Sequence, residues 1–282
     1  MPGPLAGVRI ADLTWLLAGA GGPKMLAAMG AEVIRCEWVG KLDFLRLGPP
    51  QVSLPDQEDT GGFTIGAQDP SQAASLNRNG NFNDINAGKY GCSLNLAHPR
   101  GKELFKQLVA VSDVVMENYS ASAMDRMGLG YEVLKAINPD IIYIQASGWG
   151  KTGPYRDWLS YGPTAQAMSG LTAMSGLPDR EPAGWGFSYL DHNGGYFVAL
   201  ATMMALLHRK RTGGGLYLDL SQVATGFLWG GTAVLDYSAN GRRGVRVGNR
   251  SPNRPASPHG AFPARGVDQW VAIAVFTDEQ WA

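Results

Sequence analysis

Three groups of residues in this 282-residue chain have the types and spacing to do chemistry. The first is carboxylate. Asp191 stands at the head of an expected helix in the run Ser188-Tyr189-Leu190-Asp191-His192-Asn193-Gly194-Gly195. A carboxylate there can attack a carbonyl carbon as a nucleophile, or it can cap the helix by accepting a backbone N–H. His192 adjoins it and suits either general-base work or a plain surface position. Asp157, between Arg156 and Trp158, reads as part of a surface turn, and Asp12 ends the first expected strand. The second group is basic. Arg35 and Lys89 flank expected strand ends, where ligands gather in open α/β sheets. Cations placed so can grip phosphate through charge-assisted bonds or stand as solvated charges. The third is a loop after the apolar run at residues 141–144. Gly148, Gly150 and Gly153 let backbone turn or approach a ligand closely, and Pro163 suits the first turn of a short helix over 164–169.

These residues need a frame. Strand patterns fall at residues 8–13, 31–37, 93–96, 113–116 and 141–144, and again in the run Leu216-Tyr217-Leu218-Asp219-Leu220. Helical patterns fall between them, at 23–29, 100–110, 123–127, 131–137 and 194–209, where apolar residues recur at three and four positions. Strands alternating with helices predict a mostly parallel α/β sheet, and the short apolar strands predict burial on both faces. Residues 227–237 read as one helix, 259–262 and 270–276 as a hairpin, and Thr277 with Gln280 as a capping box. Residues 43–83 have little period and are expected to cover a site or another subunit.

Composition narrows the class. Apolar residues make up 45% and charged residues 17%, so the chain is globular. Its 24 basic and 24 acidic residues balance, which argues against a nucleic-acid-coating surface. Two cysteines, Cys36 and Cys92, give no disulfide framework and point to a reducing, cytoplasmic setting, with Cys36 buried and inert. No signal peptide is suggested, and the apolar run at 196–207 is too short to span a bilayer. His98, His208 and His259 lie far apart, so no metal site is expected. Residues 19–24, GAGGPK, imitate a dinucleotide turn, but Lys24 takes the place of the third glycine.

Five runs add a resemblance. PLAGVRIADLT, LAGAGGPKMLAAMGAEVIRCEW, NAGKYGCSLNL, DVVMENYSASAMDRMGLGYEVLKAINPDIIYIQASGWGKTGPY and YLDHNGGYFVALATMMALLHRKRTGGGLYLDLSQ occur in order and cover most of residues 4–225. They resemble the family III CoA-transferases, the group that includes formyl-CoA transferase and α-methylacyl-CoA racemase. The resemblance implies a Rossmann-like large domain over residues 1–225, then a linker and partial small β-containing domain over 226–282, with the chain cut short at Ala282. It implies coenzyme A or acyl-CoA as substrate rather than as a resident cofactor, a small carboxylic acid as second substrate, and an interlocked dimer. The family's aspartate nucleophile, counted back from the run Gln166-Ala167-Met168-Ser169-Gly170, falls on Gly162, so the chemistry passes to Asp191 or to an Asp-bearing homologous subunit of a heteromer. Positions facing the cofactor fall on Arg35, Lys89, Gly148 and Lys151. Ala87, Met124 and Trp149 line its channel or pack in the ordinary way. A family glutamine falls on Leu17, and the shielding glycine loop on residues 251–255. Racemase or isomerase chemistry is the alternative reaction, and a non-catalytic role in a heteromer is the third reading.

Overall fold

The computed structural model describes residues 3–47, 76–77, 79–250 and 254–282. Most of the expected covering segment at 43–83, and Ser251, Pro252 and Asn253 of the expected shielding loop, lie outside the described residues. In chain order the first half contains β1 (Arg9–Leu13), α1 (Gly21–Ala28), β2 (Glu32–Glu37), α2 (Phe44–Leu47), α3 (Gly80–Ile85), β3 (Tyr90–Ser93), α4 (Pro99–Ala110), β4 (Val114–Glu117), α5 (Ala123–Arg126), α6 (Tyr131–Ile137) and β5 (Ile142–Ser147). The second half contains α7 (Gly162–Met168), α8 (Tyr189–Thr212), β6 (Tyr217–Ser221), α9 (Gln222–Trp229), α10 (Gly231–Asn240), β7 (His259–Pro263), β8 (Trp270–Ala274) and α11 (Asp278–Trp281).

Six strands form one parallel sheet in the order β3-β2-β1-β4-β5-β6, and β7 and β8 form a separate antiparallel hairpin. Side chains alternate across a strand, so each strand feeds two cores. Ile10, Val33, Val114, Met116 and Ile144 pack with Leu26 of α1 and with Val198 and Ala205 of α8. Ala11, Leu13, Val115 and Tyr143 pack with Phe105 and Val109 of α4 and Leu134 of α6 on the other face. Burial on both faces explains why these strands are apolar runs rather than alternating ones. The strand order reverses between β1 and β4, and in such sheets the crevice at the strands' carboxyl ends is where ligands bind.

Helix α8 lies close on α1. A Cβ on Gly22 would collide with Val198, and one on Gly195 would stand 3.1 Å from the Gly21 Cα. Glycines at this crossing let the two helix backbones approach. Two expected elements shift. The strand expected at 93–96 lies at Tyr90–Ser93, because β2 ends at Glu37, opposite Ser93, and Leu94 and Leu96 turn into the core under α4. The single helix expected over 227–237 is two, meeting at Gly230.

Candidate functional site

The crevice at the β1/β4 reversal is built by two short connections that clamp each other. After β1 the chain turns at Leu16, whose φ of 56° is uncommon for a branched side chain. The buried Asp43 carboxylate accepts the Leu16 N–H at 3.0 Å and the Arg35 guanidinium at 2.7 Å, and so holds that turn. After β4, Asn118 accepts the Trp15 N–H at 2.7 Å and donates to the Trp15 carbonyl at 2.9 Å. Glu117 beside it accepts the Tyr119 N–H at 2.7 Å and contacts the Tyr143 hydroxyl at 3.2 Å. Burial is the main force on Glu117 and pushes its pKa up to about 8, against the pull of those hydrogen bonds.

Two cavities open between these connections. The larger, about 600 Å³, has Trp15, Trp38, Tyr119 and Met127 in its wall and the cations Lys41 and Arg126 at an exposed edge. The smaller, about 160 Å³, is lined by Leu16, Asn118, Gly148, Trp149 and Asp191 among others. Tyr119, Ser120 and Leu159 line both, so the two adjoin across these residues.

Asp191 sits in the first turn of α8, and Ser188, not Asp191, is the N-cap. Its carboxylate accepts Gln222 Nε2 at 2.7 Å. Burial raises its pKa, opposed by hydrogen bonds from Gln222, from Ser188 and from the Gly162 backbone N–H, and by the charge of His192. A Cβ built on Gly162 would stand 2.8 Å from the Asp191 Cγ and Oδ2. The space that a side chain at 162 needs is thus filled by the carboxylate of residue 191. Trp149, in the wall of the same small cavity, has its indole N–H buried without a hydrogen-bond partner.

Other expected site residues are placed differently. Arg35 and Lys89 line neither cavity. Arg35 is 3% exposed and pairs with Asp43, and Lys89 Nζ lies 3.0 Å from Asp12 Oδ2 and 2.9 Å from the Ala20 carbonyl. Burial pushes the Lys89 ammonium below its ordinary pKa, and Asp12 opposes that shift. Both cations are thus paired with carboxylates, Arg35 with Asp43 eight residues on and Lys89 with Asp12 from the first strand. Lys151 turns to Asp125 at 2.8 Å and stacks over Tyr217. Met124 packs in the core with Phe105 and Leu129, and Ala87 lies on an exposed turn after α3. Gly148 and Trp149 do line the small cavity, and Leu17 packs beside Ala20 and Phe82. His192 is exposed. Lys41, Tyr119, Arg126 and Gln222 were not expected from the sequence. The signal that could have found three of them is position, since Lys41 follows β2 and Tyr119 and Arg126 follow β4, both next to the reversal. Among the described residues no cluster of His, Cys, Asp or Glu is placed to hold a metal ion, and no helix is long and apolar enough to cross a membrane.

Known proteins resemble this chain in sequence and in fold. The chain is 33% identical over 279 residues to a succinate–glutarate CoA-transferase of Agrobacterium fabrum, covering 99% of this chain and 64% of that one. It is 32% identical over 281 residues to the beta subunit of a succinyl-CoA–L-malate CoA-transferase of Chloroflexus aurantiacus, covering 99% and 63%. A crystal structure of a CaiB/BaiF family protein from Brucella suis superposes with a TM-score of 0.83 at 31% identity, over all of this chain and 68% of that one. The chain thus spans a little under two thirds of the curated relatives' length. The model of CoA-transferase family III matches residues 5–282, and the chain belongs to that family.

Proposed function

We propose that the protein moves coenzyme A between an acyl-CoA and a carboxylic acid, with Asp191 as the nucleophile. One observation carries the reading: of two adjoining cavities, the larger has exposed cations at its edge and the smaller is lined by the half-buried carboxylate of Asp191. A long ligand with a phosphate-bearing body and a narrow thiol arm suits that shape. Lys41 and Arg126 would meet the phosphates, and Trp149 and Gly148 would flank the arm's reactive end.

The chemistry follows from the carboxylate. Asp191 attacks the thioester carbonyl of the acyl-CoA, forming an acyl–aspartyl anhydride and expelling the CoA thiolate. The thiolate attacks the aspartyl carbonyl, giving an aspartyl–CoA thioester and releasing the acid as its carboxylate. A second acid takes the CoA by the reverse of these steps, so one difficult exchange becomes four easier attacks. The raised pKa of Asp191 reflects a more basic, less solvated carboxylate, which favours attack once it is ionised. The buried, unpaired Trp149 N–H belongs to a residue in the wall of the small cavity and would supply a donor for charge developing on the carbonyl oxygen. Gly162 takes part by having no side chain and by giving its N–H to Asp191. Racemisation needs an acid and a base on either side of a carbon, and Lys151 is held at Asp125, away from this cavity.

Assembly is the second part of the proposal. Tyr196, Leu200, Met204 and Leu207 form an exposed apolar stripe along α8, and Phe227, Leu228, Val234 and Leu235 are exposed beyond it. An apolar surface of this kind favours an interlocked dimer, which sedimentation of the intact protein at low concentration would detect. Unpaired thiols at Cys36 and Cys92 support a reducing, cytoplasmic setting.

The test of the chemistry is intact-mass spectrometry after incubation with acyl-CoAs, followed by peptide mapping. A CoA-sized adduct on Asp191, absent in Asp191→Asn, is expected. Turnover without any adduct, or an adduct elsewhere, would refute the assignment.

A further inference from the structure

A second space lies near Asp191, behind the residues that flank its carboxylate. A cavity of about 460 Å³ opens beside the first turn of α7, with Pro163, Gln166, Thr172, Trp185, Phe187 and Ser188 in its wall. Two of these residues join it to Asp191. Ser188 precedes Asp191 by one turn and acts to lower its pKa, and Pro163 follows Gly162, whose Cβ position is 2.8 Å from the same carboxylate. Gln166 lies four residues after Gly162 on α7, so the two share a helix face. Helical side chains lean toward the N-terminus, which sends the Gln166 amide back along the face that Asp191 covers. Gln166 is 2% exposed, yet its amide nitrogen has no hydrogen-bond partner. Folded proteins keep few buried donors in that condition, and one in the wall of a cavity beside a carboxylate invites a ligand atom to complete it. The remaining wall is largely aromatic and apolar. It contains no Lys or Arg, so a charged tail would enter without a counterion.

We propose that this cavity receives the tail of the acyl group, a chain of a few carbons bearing an uncharged hydroxyl or carbonyl that pairs with the Gln166 amide. The inference rests on Asp191 as the nucleophile, since only then is the acyl carbonyl held next to Ser188 and Gly162. The tail then turns away from the arm of CoA, and the two parts of the thioester occupy different cavities on either side of the reacting carbon.

The experiment compares acetyl-CoA, butyryl-CoA, 3-hydroxybutyryl-CoA and succinyl-CoA as donors to one common acceptor acid, using the intact protein. The wild type is expected to favour 3-hydroxybutyryl-CoA. Gln166→Leu keeps the side-chain volume and removes the donor. It should lower kcat/KM for 3-hydroxybutyryl-CoA about tenfold, the scale of one hydrogen bond, and leave butyryl-CoA within about twofold. Ala167→Trp fills the cavity from its exposed side, leaves the buried amide in place, and should depress both four-carbon donors against acetyl-CoA. Unchanged donor ratios in both variants, with transfer intact, would overturn the subsite and spare the nucleophile assignment. A wild type that prefers succinyl-CoA to 3-hydroxybutyryl-CoA would overturn the uncharged class. Folded protein that transfers CoA from none of the donors would remove the proposed function and this subsite together.

Discussion

The two ends of the crevice differ in the charge of the polar groups they bury. On the β1–β2 side, Asp12, Lys89, Arg35 and Asp43 are buried as paired charges, with Lys89 against Asp12 and Arg35 against Asp43. On the α7–α8 side the buried polar groups are mostly uncharged. Gln166, Asn193 and Trp149 each keep a nitrogen without a partner, and Asp191 is a lone carboxylate held by neutral donors and, more weakly, by the charge of His192. Formal charge is therefore a poor guide to the reactive part of this molecule. Open hydrogen bonds occur at both ends, at Arg35 Nε and the Trp15 indole on one side and at Gln166, Asn193 and Trp149 on the other, so what sets the second end apart is a carboxylate with no Lys or Arg beside it.

The largest test of this contrast is Asp191→Asn. It keeps the volume and a partner for Gln222 but removes the nucleophile. CoA transfer should fall by about a thousandfold or more, while the unfolding midpoint stays near that of the wild type. A variant that unfolds readily but retains specific activity in its folded fraction would reverse the roles of the two ends.

Next in size is Lys89→Met, which leaves the Asp12 carboxylate buried beside an apolar chain. Breaking a buried pair in this way costs about 3–5 kcal/mol, measurable by chemical denaturation. CoA affinity of the folded fraction should be unaltered. Weakened CoA binding at unchanged stability would show that Lys89 meets the ligand after all.

Glu117 gives an intermediate, pH-dependent effect. Its pKa rises from the ordinary 4.5 to about 8 on folding, chiefly through burial. Between those values the native state holds a proton that the unfolded chain has lost. Stability should therefore fall as pH climbs through that window and level off above it. Glu117→Gln should flatten this slope in unfolding curves taken across the window; an unchanged slope would assign the dependence to other groups.

The smallest expected change is at Arg126, exposed at the edge of the larger cavity and hydrogen-bonded to Ser122. Arg126→Ala should weaken CoA binding only a few-fold, and less as salt is added, because exposed charges are screened. Calorimetry at two ionic strengths would read this, and a loss that salt does not alter would place Arg126 in a drier contact.

Much of the frame was legible because its physics is local. Strands such as Val114–Glu117 and Ile142–Ser147 announce themselves as apolar runs between helical periods, and the parallel arrangement follows from their alternation. The site was less legible because its parts converge from far along the chain. Counting residues led to Gly162, yet the carboxylate in that space comes from Asp191 on another helix. Arg35 and Lys89 carry the right charge at the right strand ends, but nothing in their neighbouring sequence reveals Asp43 above one or Asp12 beside the other. The reading of Asp191 as a cap failed by one helical turn, since that place belongs to Ser188. Gln166 stood in the quoted run throughout, and only folding shows that its amide is unmet.

The glycine crossing of α1 and α8 has a consequence for timing. With Gly22 beneath Val198 and Gly195 beside Gly21, α8 is moored to the sheet, and the carboxylate in its first turn is a fixed post with no arm to swing. On the proposed chemistry, two successive attacks meet at that post, so the travelling partner is the sulfur. A thiolate expelled into the small cavity stays tied to the body of its own molecule in the larger one, like a boat on a short line. Its return is then an intramolecular event, favoured by a high effective concentration. On that chemistry the length of the ligand's arm governs how soon the second bond forms.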